Sequence, residues 1–189
     1  MAENKVRFNL KNVHYSIVTE TINSGVVSYS LATPVSIQGA VSLDLSQEGE
    51  TNPFYADGIV YYQSVSNNGY SGTLEMARFP DVMMQDVWGD TLGSTSKVLT
   101  ENANTNAKAF ALLFEVDGDA DEEYYCLYNV KGTRPNIGSQ TNEESKDPQT
   151  QSSDITAIPL ADGRILARTT ANTPTATKTA WWTTVFQES

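Results

Sequence analysis

Few residues in this chain have the chemistry of a catalytic group, and they do not form a known catalytic pattern. The single histidine, His14, lies in a run whose alternation predicts a β-strand, and no Gly-x-Ser-x-Gly motif supplies a serine that it could activate. The single cysteine, Cys126, lies among aromatic residues, which favours a buried and unreactive thiol. We therefore expect no enzymatic activity and no cofactor.

An acidic segment, residues 117–121, is similar to the first half of a calcium-binding loop. Its aspartates alternate with small residues, as the first ligands of such a loop do. The loop then requires glycine at its sixth position and glutamate at its twelfth, and these positions hold Glu122 and Tyr128. We expect a solvated acidic turn and no dedicated metal site, although its carboxylates could hold a cation weakly.

The 189-residue chain is acidic, with a formal net charge of −11, and only 19% of its residues are charged. Binding nucleic acid through phosphates requires clusters of Lys and Arg, so this composition argues against it. One cysteine cannot form an internal disulfide, and no segment approaches the ~18 consecutive apolar residues of a membrane span. The sequence predicts a soluble protein made in a cytoplasm, with a neutral polar surface suited to contact with other copies of itself.

Alternation of apolar and polar residues dominates the chain and predicts eight to ten β-strands. The series that begins at Val6 reverses its phase after Asn12, which predicts a bulge within one long strand. Residues 154–158 and 164–168 flank an Asp-Gly turn and predict a hairpin. Because no βαβ rhythm is present, we expect one mainly-β domain over residues 1–189, a sandwich or barrel.

Two segments predict short helices packed on this β-structure. The first begins at Pro80, has Asp81 at the positive end of the helix dipole, and ends at Gly89. The second begins at Thr173-Pro174 and extends to Gln187 as a C-terminal amphipathic helix, despite threonines that weaken it.

Residues 46–72 differ from the rest of the chain. A polar, turn-rich stretch leads to Asp57-Gly58, a hairpin-turn signal, and then to a tyrosine-rich strand over residues 59–65. This pattern predicts a long hairpin or loop arm with exposed aromatic residues. The alternative is a pair of ordinary sandwich strands.

The run from Leu43 to Gly58 closely resembles the major tail proteins, or tail tube proteins, of long-tailed non-contractile bacteriophages (siphophages) of Gram-positive bacteria. The resemblance continues through Tyr61-Tyr62 and Asn67–Gly72. It extends over nearly the whole chain, and further matching runs are Asn4–Tyr15, Phe110–Glu115, Tyr128-Asn129, Arg134-Pro135 and Thr141–Ser145.

The resemblance implies a tail-tube fold and a structural role in the virion. Members of this family form hexameric rings that stack into a hollow tube, with strands of six subunits lining one channel and a long loop reaching the neighbouring ring. The tube assembles around a tape measure protein in the bacterial host cytoplasm, meets a tail terminator and a distal tail protein, and later conducts genomic DNA without binding it specifically.

Within that family the residues of this chain predict two assembly surfaces. Strands with one polar face predict the channel lining, and its candidate residues are Ser42, Asp44, Ser46, Thr73, Glu75, Ser152, Asp154 and Thr156. The arm predicts the contact between rings, and its candidate residues are Glu48, Glu50, Asn52, Pro53, Phe54, Tyr55, Asp57, Tyr61, Tyr62, Asn67, Asn68 and Tyr70. An acidic wall would repel DNA and keep it centred in the channel.

Two other classes of function remain as alternatives. A β-sandwich adhesion or carbohydrate-binding module would use Tyr61, Tyr62, Tyr70, Trp181 and Trp182 as one exposed aromatic platform. A hydrolase would need a pair of carboxylates whose spacing only the tertiary structure sets.

Overall fold

The computed structural model describes residues 3–141 and 148–188, so residues 142–145 of the family-like run that starts at Thr141 lie outside the described residues. The protein is mainly β, with two short helices. In chain order the elements are β1 (Arg7–Asn23), β2 (Val26–Leu31), β3 (Val35–Ser36), β4 (Ala40–Glu48), β5 (Thr51–Ala56), β6 (Ile59–Val65), β7 (Gly69–Met76), α1 (Asp81–Trp88), β8 (Thr91–Leu92), β9 (Leu99–Thr100), β10 (Phe110–Gly118), β11 (Glu123–Gly132), β12 (Gln151–Ala157), β13 (Leu166–Arg168) and α2 (Thr175–Ala180).

One large antiparallel sheet contains most of these strands, in the order β2-β1-β10-β11-β12-β7-β4. The short strands β3 and β13 pair with β1 and β11, and two small hairpins, β5-β6 and β8-β9, are separate from it. The main core forms where the sheet folds over itself. Leu74 and Met76 of β7 lie there in one buried cluster with Leu112 and Phe114 of β10. The predicted β-sandwich class is therefore confirmed.

The strand pair β10-β11 is buried on both of its faces. Alternate residues such as Leu112 belong to the main core, while Leu113 and Cys126 belong to a second cluster on the opposite face. Trp181 and Val185 of the C-terminal segment cover this second cluster. A strand pair covered on both sides has near-continuous apolar sequence, as residues 110–114 do.

The predicted bulge in β1 is confirmed at Asn12. Lys11 lies opposite Glu115 and His14 opposite Leu113, so β1 carries one residue more than β10 between these pairs. Asn12 has φ of 51°, in the left-handed region that asparagine tolerates better than most residues. The bulge reverses which alternate residues of β1 face the core, so Val13 and Tyr15 point into it.

Helix α1 ends as the sequence predicts. Pro80 precedes it, and Gly89 closes it with φ of 73°. Met83, Val87 and Trp88 face the core. The hydroxyl of Tyr15 donates a hydrogen bond of 2.8 Å to Asp86 and so joins the helix to β1.

Two sequence predictions were wrong. Strand β13 pairs with β11 instead of with residues 154–158, because β12 already has β7 on one edge and β11 on the other. The C-terminal helix α2 ends at Ala180 instead of Gln187, with Trp181 at its C-cap, and Trp181 and Val185 are buried in the second cluster. Within the described residues, no helix is long and apolar enough to cross a membrane.

Candidate assembly surfaces

Three neighbouring strands bring the eight predicted polar residues to one face of the sheet. Strand pairing aligns them in three rows: Ser42, Glu75 and Ser152; Asp44, Thr73 and Asp154; and Ser46, Ser71 and Thr156. We call these nine residues the polar face. The alternating residues Leu74, Met76 and Ile155 point the other way and are buried in the main core.

Side chains on the polar face hydrogen-bond across the strands. Ser42 donates to Glu75 Oε2 at 2.9 Å, and Thr150 donates to Glu75 Oε1 at 2.5 Å. The hydrogen bonds from Thr150 and Ser42 lower the pKa of Glu75, which keeps this carboxylate charged. Thr73 donates to Asp154 Oδ1 at 2.9 Å in the adjacent row. The face is thus a hydrogen-bonded array of small hydroxyls and carboxylates.

The sequence argument missed two members of this array. Ser71 completes the third row and donates to Glu48 at its edge, but the prediction assigned residues 46–72 to the arm. Continuing the alternation backward from Thr73 could have found it. Thr150 precedes β12, and no sequence signal connects it to Glu75.

The hairpin β5-β6 projects from the sandwich as an arm with exposed apolar side chains. Its Asp57-Gly58 turn has φ of 53° and 79°, as a type I′ hairpin requires. Seven large apolar residues are 49% to 72% exposed: Phe54, Tyr55, Ile59, Val60, Tyr61, Tyr62 and Val65. A concentration of exposed apolar side chains on one small element is typical of a protein–protein contact.

The arm is shorter than the predicted 46–72 segment. Candidate arm residues Glu48 and Tyr70 belong to β4 and β7 of the large sheet, and Asn67 and Asn68 lie in the connection to β7. The candidates that the hairpin carries are Asn52, Pro53, Phe54, Tyr55, Asp57, Tyr61 and Tyr62, and Glu50 lies at its base. The boundary moves because Glu48 still pairs with Gly69 in the large sheet.

No family model matches the chain, and no curated protein matches it. Among solved structures, the chain is similar to the cap that terminates the tube of the anti-feeding prophage, determined by cryo-electron microscopy. That match has a TM-score of 0.42 and 11% sequence identity, and covers 90% of this chain and 97% of the cap chain.

The acidic turn between β10 and β11 contains an ammonium group at its centre. Glu115, Asp117 and Glu122 offer carboxylate oxygens within 4.8 Å of one another. Lys11 Nζ lies 2.6 Å from Asp117, 3.1 Å from Glu115 and 3.9 Å from Glu122. Lys11 therefore offsets one of the three negative charges, and the cluster is an ion-pair network centred on its ammonium group.

The N-terminal segment is attached to the same turn. The Asn4 side chain accepts hydrogen bonds from the backbone of Ala120 and Asp121 at 2.9 and 2.8 Å, and donates to the Asp121 carbonyl at 2.7 Å. A side chain at Gly118 would overlap Asn4, since an added Cβ would lie 2.0 Å from its amide. These contacts order the start of β1 beside a cavity of about 290 Å³ that Asn4, Arg7 and Asp121 help to line.

The two residues with catalytic side chains occupy structural positions. Cys126 is buried in the second cluster, and burial raises the pKa of its thiol to about 12. His14 Nδ1 lies 2.8 Å from the Asn12 carbonyl, and its ring lies 4.8 Å from that of Trp182. Among the described hydrogen bonds, none joins Cys126 or His14 to a side chain with which it could act as a nucleophile and its base.

The five aromatic residues of the carbohydrate-binding alternative do not form one exposed platform. Trp181 is buried in the second cluster and Trp182 packs against His14 and Tyr124. Tyr61 and Tyr62 lie on the separate arm. The described residues therefore do not form the single exposed aromatic platform that the carbohydrate-binding alternative requires.

Proposed function

We propose that this protein is a structural subunit of a bacteriophage tail and is not an enzyme. In this proposal it is the tail tube protein of a siphophage, and copies assemble into hexameric rings that stack into a hollow tube. The tube surrounds a tape measure protein, contacts a tail terminator and a distal tail protein, and conducts genomic DNA. The protein is made in the host cytoplasm and resides in the virion.

The observation that carries this proposal is the pairing of two unlike surfaces in one chain. The polar face consists of small hydroxyls and carboxylates that hydrogen-bond to one another, which suits the wall of a water-filled channel. The arm, by contrast, exposes seven large apolar residues that no other part of the described chain covers. The exposed apolar surface of the arm does not stabilise a monomer, whereas assembly would remove that surface from water.

Free strand edges also support assembly. Strand β4 ends the large sheet at one side and β2 ends it at the other. An exposed edge offers unpaired backbone groups that another chain can pair with. Strand addition between copies would extend the polar face of β4, β7 and β12 around a ring.

Negative-stain electron microscopy of the purified protein, together with sedimentation velocity over a concentration series, tests the proposal. We expect rings or tubes with a central channel, and species larger than the 20.7 kDa monomer. A protein that sediments as a monomer at every concentration and in the presence of tail partners, with no rings visible, contradicts it.

A further inference from the structure

A shallow groove on the sandwich combines apolar walls with two positive charges. It has a volume of about 450 Å³ and lies between β1, the end of β11 and residues 107–109. Ile17, Val18 and Ile158 contribute apolar surface, while Lys108 and Lys131 contribute the charges and Glu20 the acid. We call it the lysine groove.

These lysines are unusual in a chain that is strongly acidic. Most described basic side chains have a carboxylate partner, as Lys11, Arg134 and Lys178 do. Four exposed lysines have no such partner among the described residues, namely Lys5, Lys97, Lys108 and Lys131. Two of these four line the same groove, where Glu20 is the one acidic lining residue, so the groove carries a net positive charge.

The arm has the complementary properties. The hairpin itself carries one acidic residue, Asp57, a second, Glu50, lies at its base, and residues 49–68 contain no Lys or Arg. Its exposed apolar side chains would fit beside Ile158 and Ile17, while Asp57 at its turn would meet an ammonium group of Lys108 or Lys131. Opposite charges around an apolar contact favour association and fix its register.

The arm that fills the groove must come from another copy. All residues of β5 and β6 are exposed apart from the half-buried Ala56, so the arm does not lie against its own sandwich. We propose that the lysine groove binds the β5-β6 arm of a second copy of this chain. This inference rests on the proposed function, because it requires the protein to assemble with itself.

A charge-reversal experiment tests the electrostatic part of the proposal. The variant Lys108→Glu/Lys131→Glu should raise the concentration needed for assembly by roughly tenfold or more, since attraction at the contact becomes repulsion. The matched control is Lys5→Glu/Lys97→Glu, which makes the same change in net charge outside the groove and should assemble like the wild type. Circular dichroism checks that both variants fold. Equal effects of the two variants, or no effect of either, overturn the proposal.

A crosslinking experiment tests the contact directly. Chains with Tyr61→Cys are mixed with chains carrying Lys131→Cys, so that a disulfide between the two sites must join different copies. The buried Cys126 does not interfere. We expect a covalent dimer on mild oxidation that is absent when Lys5→Cys replaces Lys131→Cys. A dimer formed only with Lys5→Cys shows a different acceptor surface and overturns the proposal.

The outcomes separate this inference from the proposed function. Tubes or rings that form normally in Lys108→Glu/Lys131→Glu, without the Tyr61–Lys131 crosslink, refute the groove as the acceptor and leave the tube proposal standing. A wild-type protein that never assembles refutes both.

Discussion

At the scale of single residues, the polar face determines what a channel built from this chain would present to DNA. Asp44, Glu75 and Asp154 supply its carboxylates, and small hydroxyls surround them. Exposed carboxylates contribute little to folding unless they are paired. Their role in the proposed tube is therefore electrostatic repulsion of the phosphate backbone.

Replacing Asp44, Glu75 and Asp154 together with lysine should preserve the fold and the tube length, although it removes the hydrogen bonds that Glu75 and Asp154 accept and so lowers stability. It should slow DNA ejection, because rings of positive charge would bind phosphates, and raised salt should partly restore the rate. Ejection kinetics from virions at several salt concentrations measure this.

The control for this experiment makes the same charge change away from the polar face, with lysine at Glu3, Asp81 and Glu188. These acids are exposed, and the surface pair of Asp81 with Arg78 contributes little. Slow ejection in the control as well, or wild-type ejection in the polar-face variant, contradicts the assignment of the channel wall.

The hydrogen bonds to Glu75 predict a pH dependence of stability. They lower its pKa below the ordinary value of 4.5, so Glu75 stabilises the fold above that pH and loses this contribution as the pH falls through its folded-state pKa. Glu75→Gln should therefore be less stable than the wild type near neutral pH, and the difference should shrink in acid. Urea denaturation at a series of pH values measures it. The control is Glu188→Gln, which changes an exposed carboxylate outside the polar face. If the stability difference between Glu75→Gln and the wild type is the same at every pH, the prediction is wrong.

At the scale of elements, the proposed assembly depends on the exposed arm. A two-stranded hairpin is marginal by itself, and this one buries none of its large apolar side chains in the chain that carries it. In the proposed tube its apolar surface is covered by another copy, which changes its stability and accessibility together.

Protease cleavage should therefore distinguish free subunits from assembled ones. Chymotrypsin should cut next to Tyr61 and Tyr62 in free subunits and much more slowly in tubes, because the assembled arm is covered. Mass spectrometry of timed digests locates the cuts, and the C-terminal Phe186 provides an internal reference site. Equal rates at the tyrosines in both states count against the arm as a contact.

Shortening the arm separates assembly from folding. Replacing residues 51–65 with a two-residue Asn-Gly turn removes no residue of either buried cluster. The thermal midpoint of the shortened chain should stay close to that of the wild type, while ring or tube formation is lost. A large fall in the midpoint shows instead that the arm stabilises its own sandwich.

At the scale of the whole molecule, the sandwich depends on a strand pair that is covered on both sides. Leu112 and Leu113 are adjacent in β10 but are buried in different clusters. One cluster lies beneath the folded sheet and the other beneath the C-terminal segment. Strand β10 therefore contacts residues that are distant from it in the sequence on both of its faces.

Leu112→Ala and Leu113→Ala should each lower the free energy of unfolding by about 2–5 kcal/mol, because both positions are fully buried. Equilibrium urea denaturation measures the loss. Val82→Ala is the matched control at an exposed site and should change stability by about 0.5 kcal/mol or less. If Leu113→Ala lowers the free energy of unfolding no more than the control does, the C-terminal segment does not form a tightly packed second core.

The alternation in the sequence was sufficient to predict the β class, the bulge at Asn12 and the eight polar-face residues. It succeeded because side chains on a strand alternate between faces whatever the neighbouring strand is. Helix α1 and the turn at Asp57-Gly58 were equally predictable, since proline, glycine and aspartate act through local backbone geometry.

Only the tertiary structure decided which strands lie side by side, and therefore what the surfaces contain. The pairing of β13 with β11, the place of Ser71 in the polar face and the meeting of Lys108 with Lys131 all depend on contacts between residues distant in the chain. The same holds for the burial of Trp181 in the second cluster, beside residues of β10 and β11. Local sequence determines the periodicity of an element, but the free energy of burying its apolar face selects its neighbours, and that choice is made by the whole chain.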